Sequence, residues 1–186
     1  MISGIEGELL AKEPDSCELL TAGGVIYRLY ISLNTFSALG EGRTRLHTAL
    51  VVREDALTLY GFKTPQERAL FEMLLKVSGV GPKSALAVCS TFTPEGFARA
   101  IADRSEAQLV KVPGIGKKSA GLILVQLSGS IDAIASAGLS GDHHREAASA
   151  LENLGFKPAE IAKVLGRCSA TDTASLIKEA LKLFQK

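Results

Sequence analysis

Several residue combinations are missing from this sequence, and the first is any grouping of metal ligands. The 186 residues include three cysteines and three histidines. Cys17, Cys89 and Cys168 stand far apart without a Cys-x-x-Cys spacing, and the pair His143-His144 has no cysteine beside it. The spacing therefore predicts no metal site, and it predicts buried or idle thiols in a reducing cytoplasm.

Long apolar segments are also missing. The first six residues lack the basic and apolar regions of a signal peptide. No apolar run approaches the ~20 residues that are needed to cross a bilayer. We therefore expect a cytoplasmic protein that does not contact membranes.

A nucleotide-binding loop of the form Gly-x-x-x-x-Gly-Lys-[Ser/Thr] does not occur in the sequence. Any use of ATP would therefore belong to a partner, and we expect no cofactor on this chain.

Charge is distributed unevenly along the chain, although the formal net charge is only +1. Residues 1–62 contain 5 basic and 8 acidic side chains, residues 63–130 contain 9 and 5, and residues 131–186 contain 7 and 7. Because a local basic excess attracts a phosphate backbone, we expect segment 63–130 to bind nucleic acid.

One nine-residue pattern occurs twice in that basic segment, 35 residues apart. Residues 77–85 are VSGVGPKSA and residues 112–120 are VPGIGKKSA, each with a helical apolar pattern on both sides. We expect both glycines of each copy to adopt backbone angles that side chains disfavour, so that the chain turns tightly between two helices. The branched residue between the glycines should pack in the groove between those helices.

Each predicted turn would leave free N–H groups at the positive end of the following helix, which is a binding site for phosphate. Nearby lysines would add mobile positive charge. The predicted contacts to the DNA backbone are Gly79, Val80, Gly81, Lys83, Ser84, Gly114, Ile115, Gly116, Lys117 and Lys118.

Residues 1–62 favour a small β-barrel. Strand patterns cover residues 2–9, 25–31, 43–53 and 57–62, with turn signals at Gly23-Gly24 and Glu54-Asp55. A five-stranded oligonucleotide-binding (OB) barrel fits short strands with internal glycines best, and an antiparallel sandwich stays open.

The remaining sequence predicts helices in two groups. Residues 63–130 predict five helices, the first of which begins with a capping box at Thr64–Glu67. Residues 131–141 are small and aperiodic and predict a flexible linker. Residues 142–186 predict a three-helix module that is close to neutral, with 7 basic and 6 acidic side chains, which favours docking on another protein.

This order of parts resembles the RuvA family of bacterial proteins that recognise four-way Holliday junctions. The resemblance covers the whole chain and rests on the hairpins Gly-Val-Gly-Pro-Lys and Gly-Ile-Gly-Lys-Lys, on Leu59-Tyr60-Gly61-Phe62 and on Leu154-Gly155-Phe156. It implies an α+β multidomain chain with an OB-fold barrel, a tandem helix-hairpin-helix domain and a UBA-like three-helix module.

The resemblance also implies partners. A homotetramer, or an octamer on DNA, would bind four-way junction DNA and couple the hexameric RuvB ATPase to it for branch migration in recombination and repair. The RuvC resolvase would be a further partner. The chain itself would be non-catalytic.

Two groups of residues receive roles through the resemblance alone. Glu54 and Asp55 would form an acidic pin near the junction centre. The apolar residues that would engage RuvB are Leu154, Phe156, Ile161, Leu165, Leu176 and Leu181.

One departure from the family pattern lies just after the second hairpin. Gly121-Leu122 stand where the family usually has Glu-Arg. The change removes a possible basic contact and places glycine inside a helix, at a cost of ~1 kcal/mol relative to alanine.

Other function classes fit less well. A non-sequence-specific helix-hairpin-helix subunit of another repair complex is the main alternative. A base-excision glycosylase would need an Asp or Lys downstream of its hairpin, but residues 121–130 contain no ionisable side chain. A protein-only adaptor would not explain the segregated charge.

Overall fold

Five strands close into a barrel at the start of the chain. The computed structural model describes residues 2–128, 142–166, 168, 170 and 172–184. The strands are β1 (Gly4–Glu13), β2 (Ser16–Leu20), β3 (Ile26–Ile31), β4 (Arg43–Val52) and β5 (Leu57–Phe62). Around the barrel they follow the order β1-β2-β3-β5-β4, in which only β3 and β5 are parallel neighbours. The closed order confirms the predicted five-stranded OB barrel and excludes the sandwich.

Alternation of side chains fills the barrel interior. Leu19 on β2 and both Leu29 and Ile31 on β3 point inward and are buried, while the residues between them are less so. Strand β1 crosses β2 closely at Gly7, where an added Cβ would lie only 2.5 Å from the Leu20 carbonyl oxygen. Glycine is therefore required at this crossing.

A short helix, α1 (Leu33–Ala38), connects β3 to β4 and is absent from the elements that the sequence predicts. Ser32 caps it, because its hydroxyl accepts a hydrogen bond from the Thr35 N–H at 3.1 Å. Lys12 Nζ on β1 donates to the Leu39 carbonyl at the other end of the helix, at 2.7 Å. A six-residue helix shows no useful periodicity, and contacts from the barrel hold it in place.

Within residues 63–128, five helices follow the barrel, as predicted: α2 (Pro65–Leu75), α3 (Pro82–Thr91), α4 (Pro94–Ala102), α5 (Glu106–Leu109) and α6 (Lys117–Leu127). At the start of α2 the Thr64 hydroxyl accepts from the Glu67 N–H at 3.2 Å. The Glu67 carboxylate accepts from the Lys63 N–H at 3.0 Å, one residue earlier than in a regular capping box.

The barrel and these helices share a hydrophobic core. Phe62 at the end of β5 packs against Phe71 of α2 with ring centroids 5.1 Å apart, and Tyr60 lies 4.8 Å from the same ring. Both parts belong to one compact unit, Met1–Ala135. Residue 62 therefore marks a change of secondary structure inside that unit.

The described residues of the second compact unit, Ser136–Lys186, form three helices. They are α7 (Asp142–Asn153), α8 (Pro158–Leu165) and α9 (Thr173–Phe184), and Gly155, at φ 93°, follows the end of α7. The core of this unit consists of Ala147, Leu151, Ile161, Leu165, Leu176 and Ala180. The predicted linker, residues 131–141, lies outside the described residues.

Among the described residues, no helix combines the length and apolarity needed to span a membrane. The same residues contain no group of three His, Cys, Asp or Glu side chains placed to hold a metal ion.

Candidate nucleic-acid interface

The two hairpin turns have the same backbone conformation. Gly79 and Gly114 are left-handed, with φ of 81° and 82°. Gly81 and Gly116 follow with φ −90° and ψ of 172° and 173°. The repeat in the sequence is therefore a repeat in three dimensions.

The two glycines of each turn differ in whether the backbone conformation requires glycine. Gly79 and Gly114 occupy a backbone region that L side chains rarely adopt. The angles of Gly81 and Gly116 are open to any residue, and a Cβ added at either would meet no atom within 4 Å. The expectation that both glycines of a pair serve backbone conformation is thus corrected. The protein's own fold does not require the second one, whereas close approach of an external ligand to the backbone would.

Each second glycine begins a helix whose first N–H groups have no partner from a side chain. Within the described part of the chain, neither α3 nor α6 has a side-chain cap. In α6 the first helical hydrogen bond runs from Ala120 N to Gly116 O at 2.9 Å. The N–H groups of Lys117, Lys118 and Ser119 precede it and point out of the helix start. Such an end attracts an anion through its N–H groups and its dipole.

The first hairpin offers fewer donors. Pro82 occupies the first position of α3 and has no N–H, so Lys83 and Ser84 supply the donors there. The first helical bond of α3 runs from Ala85 N to Gly81 O at 2.9 Å.

Lysines surround both turns. Lys83, Lys117 and Lys118 are exposed, and none of them takes part in an ion pair within the residues that the structure describes. Two further exposed lysines, Lys76 and Lys111, stand just before the turns and are themselves 35 residues apart. The sequence prediction missed this pair, although extending the repeat by one residue would have found it.

Val80 and Ile115 hold the turns in place. Both side chains are buried in the shared core, in agreement with the predicted packing between helices. Their N–H groups donate inward, to the Val77 and Val112 carbonyls at 3.1 and 3.0 Å. Both side chains therefore have a structural role, and the predicted contact of these two residues with the DNA backbone stays a prediction.

Ser84 joins the two hairpins. Its hydroxyl donates to the Gly114 carbonyl at 3.3 Å, across 30 residues of sequence. The side chain thus makes a tertiary contact, and the predicted contact of Ser84 with DNA stays a prediction for which its backbone N–H at the start of α3 is available. The bond brings both turns to one surface.

The predicted acidic pair stands at the tip of the β4–β5 hairpin. Glu54 and Asp55 are exposed, and the Arg53 N–H closes the turn on the Ala56 carbonyl at 2.8 Å. Neither carboxylate forms an ion pair with any described residue. The tip therefore presents two exposed carboxylates without an ion-pair partner among these residues, on the same unit as the basic turns.

Comparison with known proteins agrees with this architecture. Family models match consecutive stretches of the chain: the RuvA N terminal domain over residues 1–61, a SAM-like helix-hairpin-helix tandem over 71–129, and the RuvA C-terminal domain over 142–185.

Full-length relatives give the same result. The protein of Sulfurimonas denitrificans is 50% identical over 187 residues, which cover 100% of this chain and 99% of that protein. That of a Nitratiruptor species is 48% identical over 186 residues, with 100% of both chains covered. That of Campylobacter fetus is 46% identical over 187 residues, with 98% of each chain covered. All three carry the name Holliday junction branch migration complex subunit RuvA. The chain belongs to the RuvA family.

Gly121, which departs from the family pattern, does not affect side-chain packing in this RuvA-family chain. Gly121 lies within α6, and a Cβ added there would meet no atom within 4 Å. Glycine at this position therefore lowers helix stability without serving a packing need.

The six apolar residues assigned to the motor contact separate into two groups. Ile161, Leu165 and Leu176 are buried in the core of the second unit, so they stabilise the module and cannot form its contact surface. The other three reach the surface to different extents. Leu154 is 61% exposed, while Phe156 and Leu181 are half-buried.

The three thiols have no place in this interface. Burial raises the pKa of Cys17 to about 11 and raises the pKa of Cys89 and Cys168 as well. All three are therefore protonated, weakly reactive thiols near neutral pH.

Proposed function

We propose that this protein binds four-way DNA junctions through its two hairpins and couples them to the RuvB ATPase for branch migration. The main support for this proposal is that positions 81 and 116 are glycines although the fold would accept a side chain at both. Glycine at these positions leaves room for a phosphate oxygen to approach the uncapped N–H groups of α3 and α6. The names of the relatives fit this function.

Phosphate contacts hold DNA without reading its sequence. Selection of a junction over a duplex must therefore come from shape and charge. The exposed carboxylates of Glu54 and Asp55 repel phosphates, so they oppose a duplex that would lie across them. In a homotetramer, four such tips would gather where the arms of an open junction separate.

The second unit is proposed as the docking module for the motor. Its exposed or half-buried apolar residues, Leu154, Phe156 and Leu181, are candidates for that contact. We further propose that the chain is non-catalytic, needs no cofactor and acts in the cytoplasm, with RuvC as a further partner. The organisation into a barrel (1–62), a hairpin domain (63–130), a linker (131–141) and a docking module (142–186) belongs to the same proposal.

The test measures affinity for a synthetic four-way junction and for a duplex of matched sequence over a range of salt concentrations. Lys117→Ala combined with Lys118→Ala should weaken binding to both DNAs, because both present phosphates. For every phosphate that the variant no longer binds, the log–log salt slope should decrease by ~0.9.

A matched control is Lys178→Ala combined with Lys182→Ala. These lysines are exposed on α9 and their replacement removes the same charge, so DNA affinity should not change. Equal effects of the two pairs would mean that the hairpin lysines act only through net charge. Absence of junction preference in the parent protein would refute the proposed function.

Two measurements address the assembly. Native mass spectrometry with and without a junction should show a tetramer, or an octamer on DNA. A chain that ends at Ser140 should still bind junctions and should fail to support ATP-driven branch migration by RuvB. Full migration with this truncated chain would exclude the docking role.

A further inference from the structure

The barrel holds the far end of the helix that carries the first phosphate site. The Asn34 side chain, on α1, donates both of its amide protons to helix α3. One goes to the Cys89 carbonyl at 2.7 Å and the other to the Phe92 carbonyl at 3.0 Å. Carbonyl groups at a helix C-terminus have no partner within the helix, and this amide supplies one from outside. Asn34 is therefore a cap that the barrel places on α3.

Residues on both sides of Asn34 reach the same hairpin. The Leu33 N–H donates to the Ser90 hydroxyl of α3 at 3.1 Å. The Thr35 hydroxyl donates to the Glu67 carboxylate of α2 at 3.0 Å. Three consecutive residues of α1 thus hold both helices of the first hairpin.

Helix α1 is itself fixed to the barrel at both ends. Ser32 caps its start, and Lys12 Nζ binds the Leu39 carbonyl while lying 4.5 Å from the centre of the Phe36 ring. The tip with the acidic pair belongs to strands β4 and β5 of this same barrel. A continuous series of contacts therefore connects the acidic tip, the barrel, α1 and α3.

We propose that Asn34 is a positioning residue for junction recognition, which sets the direction of α3 and so the place of the first turn relative to the acidic tip. This inference rests on the proposed function. Helix α3 has 10 residues and is ~15 Å long, so a tilt of about 10° at its C-terminus moves its phosphate end by about 3 Å. That displacement is comparable to the length of a hydrogen bond.

Two substitutions separate positioning from space filling. Asn34→Asp keeps the size of the side chain but places a carboxylate against two carbonyl oxygens. The same change is favourable for α1 itself, because position 34 is in its first turn, where the dipole favours negative charge. Asn34→Ala removes both donors without adding repulsion.

We expect Asn34→Asp to lower the junction-to-duplex affinity ratio of the full chain about tenfold, which corresponds to about 1.4 kcal/mol. Asn34→Ala should lower it less, about threefold, since it only forgoes the two hydrogen bonds. The salt slope for duplex should not change in either variant, because the turns and their lysines stay intact. Ser37→Ala, at an exposed site on the same helix, is the control and should match the parent.

Which of the two variants loses more junction preference distinguishes positioning from space filling. A larger loss for Asn34→Ala than for Asn34→Asp would show that the side chain only fills space, and would overturn the inference. An unchanged ratio in both variants would overturn it too. If Asn34→Asp does not fold, as circular dichroism would show, an Asn34→Ala ratio equal to that of Ser37→Ala refutes positioning. A parent protein without junction preference would instead refute the proposed function, and this inference with it.

Discussion

A methyl group at Gly116 should separate DNA binding from folding. The substitution Gly116→Ala adds a Cβ that meets no protein atom within 4 Å, and the backbone angles there are open to alanine. Alanine is a poorer N-cap than glycine by a few tenths to 1 kcal/mol, but it also lowers the entropy of the unfolded chain by a similar amount. The free energy of unfolding should therefore change by no more than about 0.5 kcal/mol.

Binding should respond much more strongly to the same change. The methyl group would occupy the space through which a phosphate reaches the N–H groups of α6. Loss of one hydrogen bond to a charged group costs about 1.5–3 kcal/mol, so duplex and junction affinity should each fall about 10- to 100-fold. The salt slope should fall by ~0.9 for the phosphate that no longer binds.

Two further glycines frame this measurement. Gly40→Ala is the matched control, because an added Cβ there also meets nothing within 4 Å and the site lies in a barrel loop. Gly114→Ala, unlike Gly116→Ala, should act mainly on folding stability. Its φ of 82° and the Ser84 hydroxyl 3.0 Å from the added Cβ should lower the free energy of unfolding by about 1–2 kcal/mol. Chemical denaturation and fluorescence anisotropy on all three variants supply both quantities.

The reasoning would be refuted by a stably folded Gly116→Ala protein that binds both DNAs as tightly as the parent. That result would mean that no phosphate binds in the open space beside Gly116.

Three other predictions follow from the same surfaces. Glu54→Gln with Asp55→Asn should raise duplex affinity and lower junction preference, most clearly at low salt where screening is weakest; unchanged binding in titrations at matched ionic strength would contradict this. Gly121→Ala should raise the free energy of unfolding by about 1 kcal/mol in chemical denaturation, since the added methyl has open space and alanine favours the helix; no gain would mean that the glycine has a packing role. In thiol labelling of the native protein, Cys168 should react first and the two buried thiols only on unfolding, with a reverse order counting against the burial described.

The hairpins could be predicted because their information is local. The repeat of glycines, branched residues and lysines specifies a turn between two helices without reference to distant residues. The same logic predicts the barrel from several short strand patterns with internal glycines, among them those of β4 and β5, which a clear turn signal separates. These parts of the fold depend on short-range preferences that a sequence displays directly.

Other features depend on contacts between distant residues, which periodicity does not reveal. Helix α1 is six residues long and is held by Lys12 from β1, so its own sequence gives little helical signal. The Ser84 bond to Gly114 likewise appears only when both hairpins fold against each other. Ile161 receives its partner-contact role through the family resemblance alone, whereas apolar residues at helical spacing more often form a core, which is where Ile161 lies.

If the two turns bind phosphates as proposed, the bond from Ser84 to Gly114 makes them a single bivalent ligand for the DNA backbone. Once a phosphate occupies one turn, the other turn is presented to the same strand region at a fixed separation, with little further loss of translational freedom. This gain in affinity exists only for DNA in which two phosphates are separated by the same distance as the two turns. The protein would thus measure the spacing between phosphates much as a caliper does, and the identity of the bases would not enter the measurement.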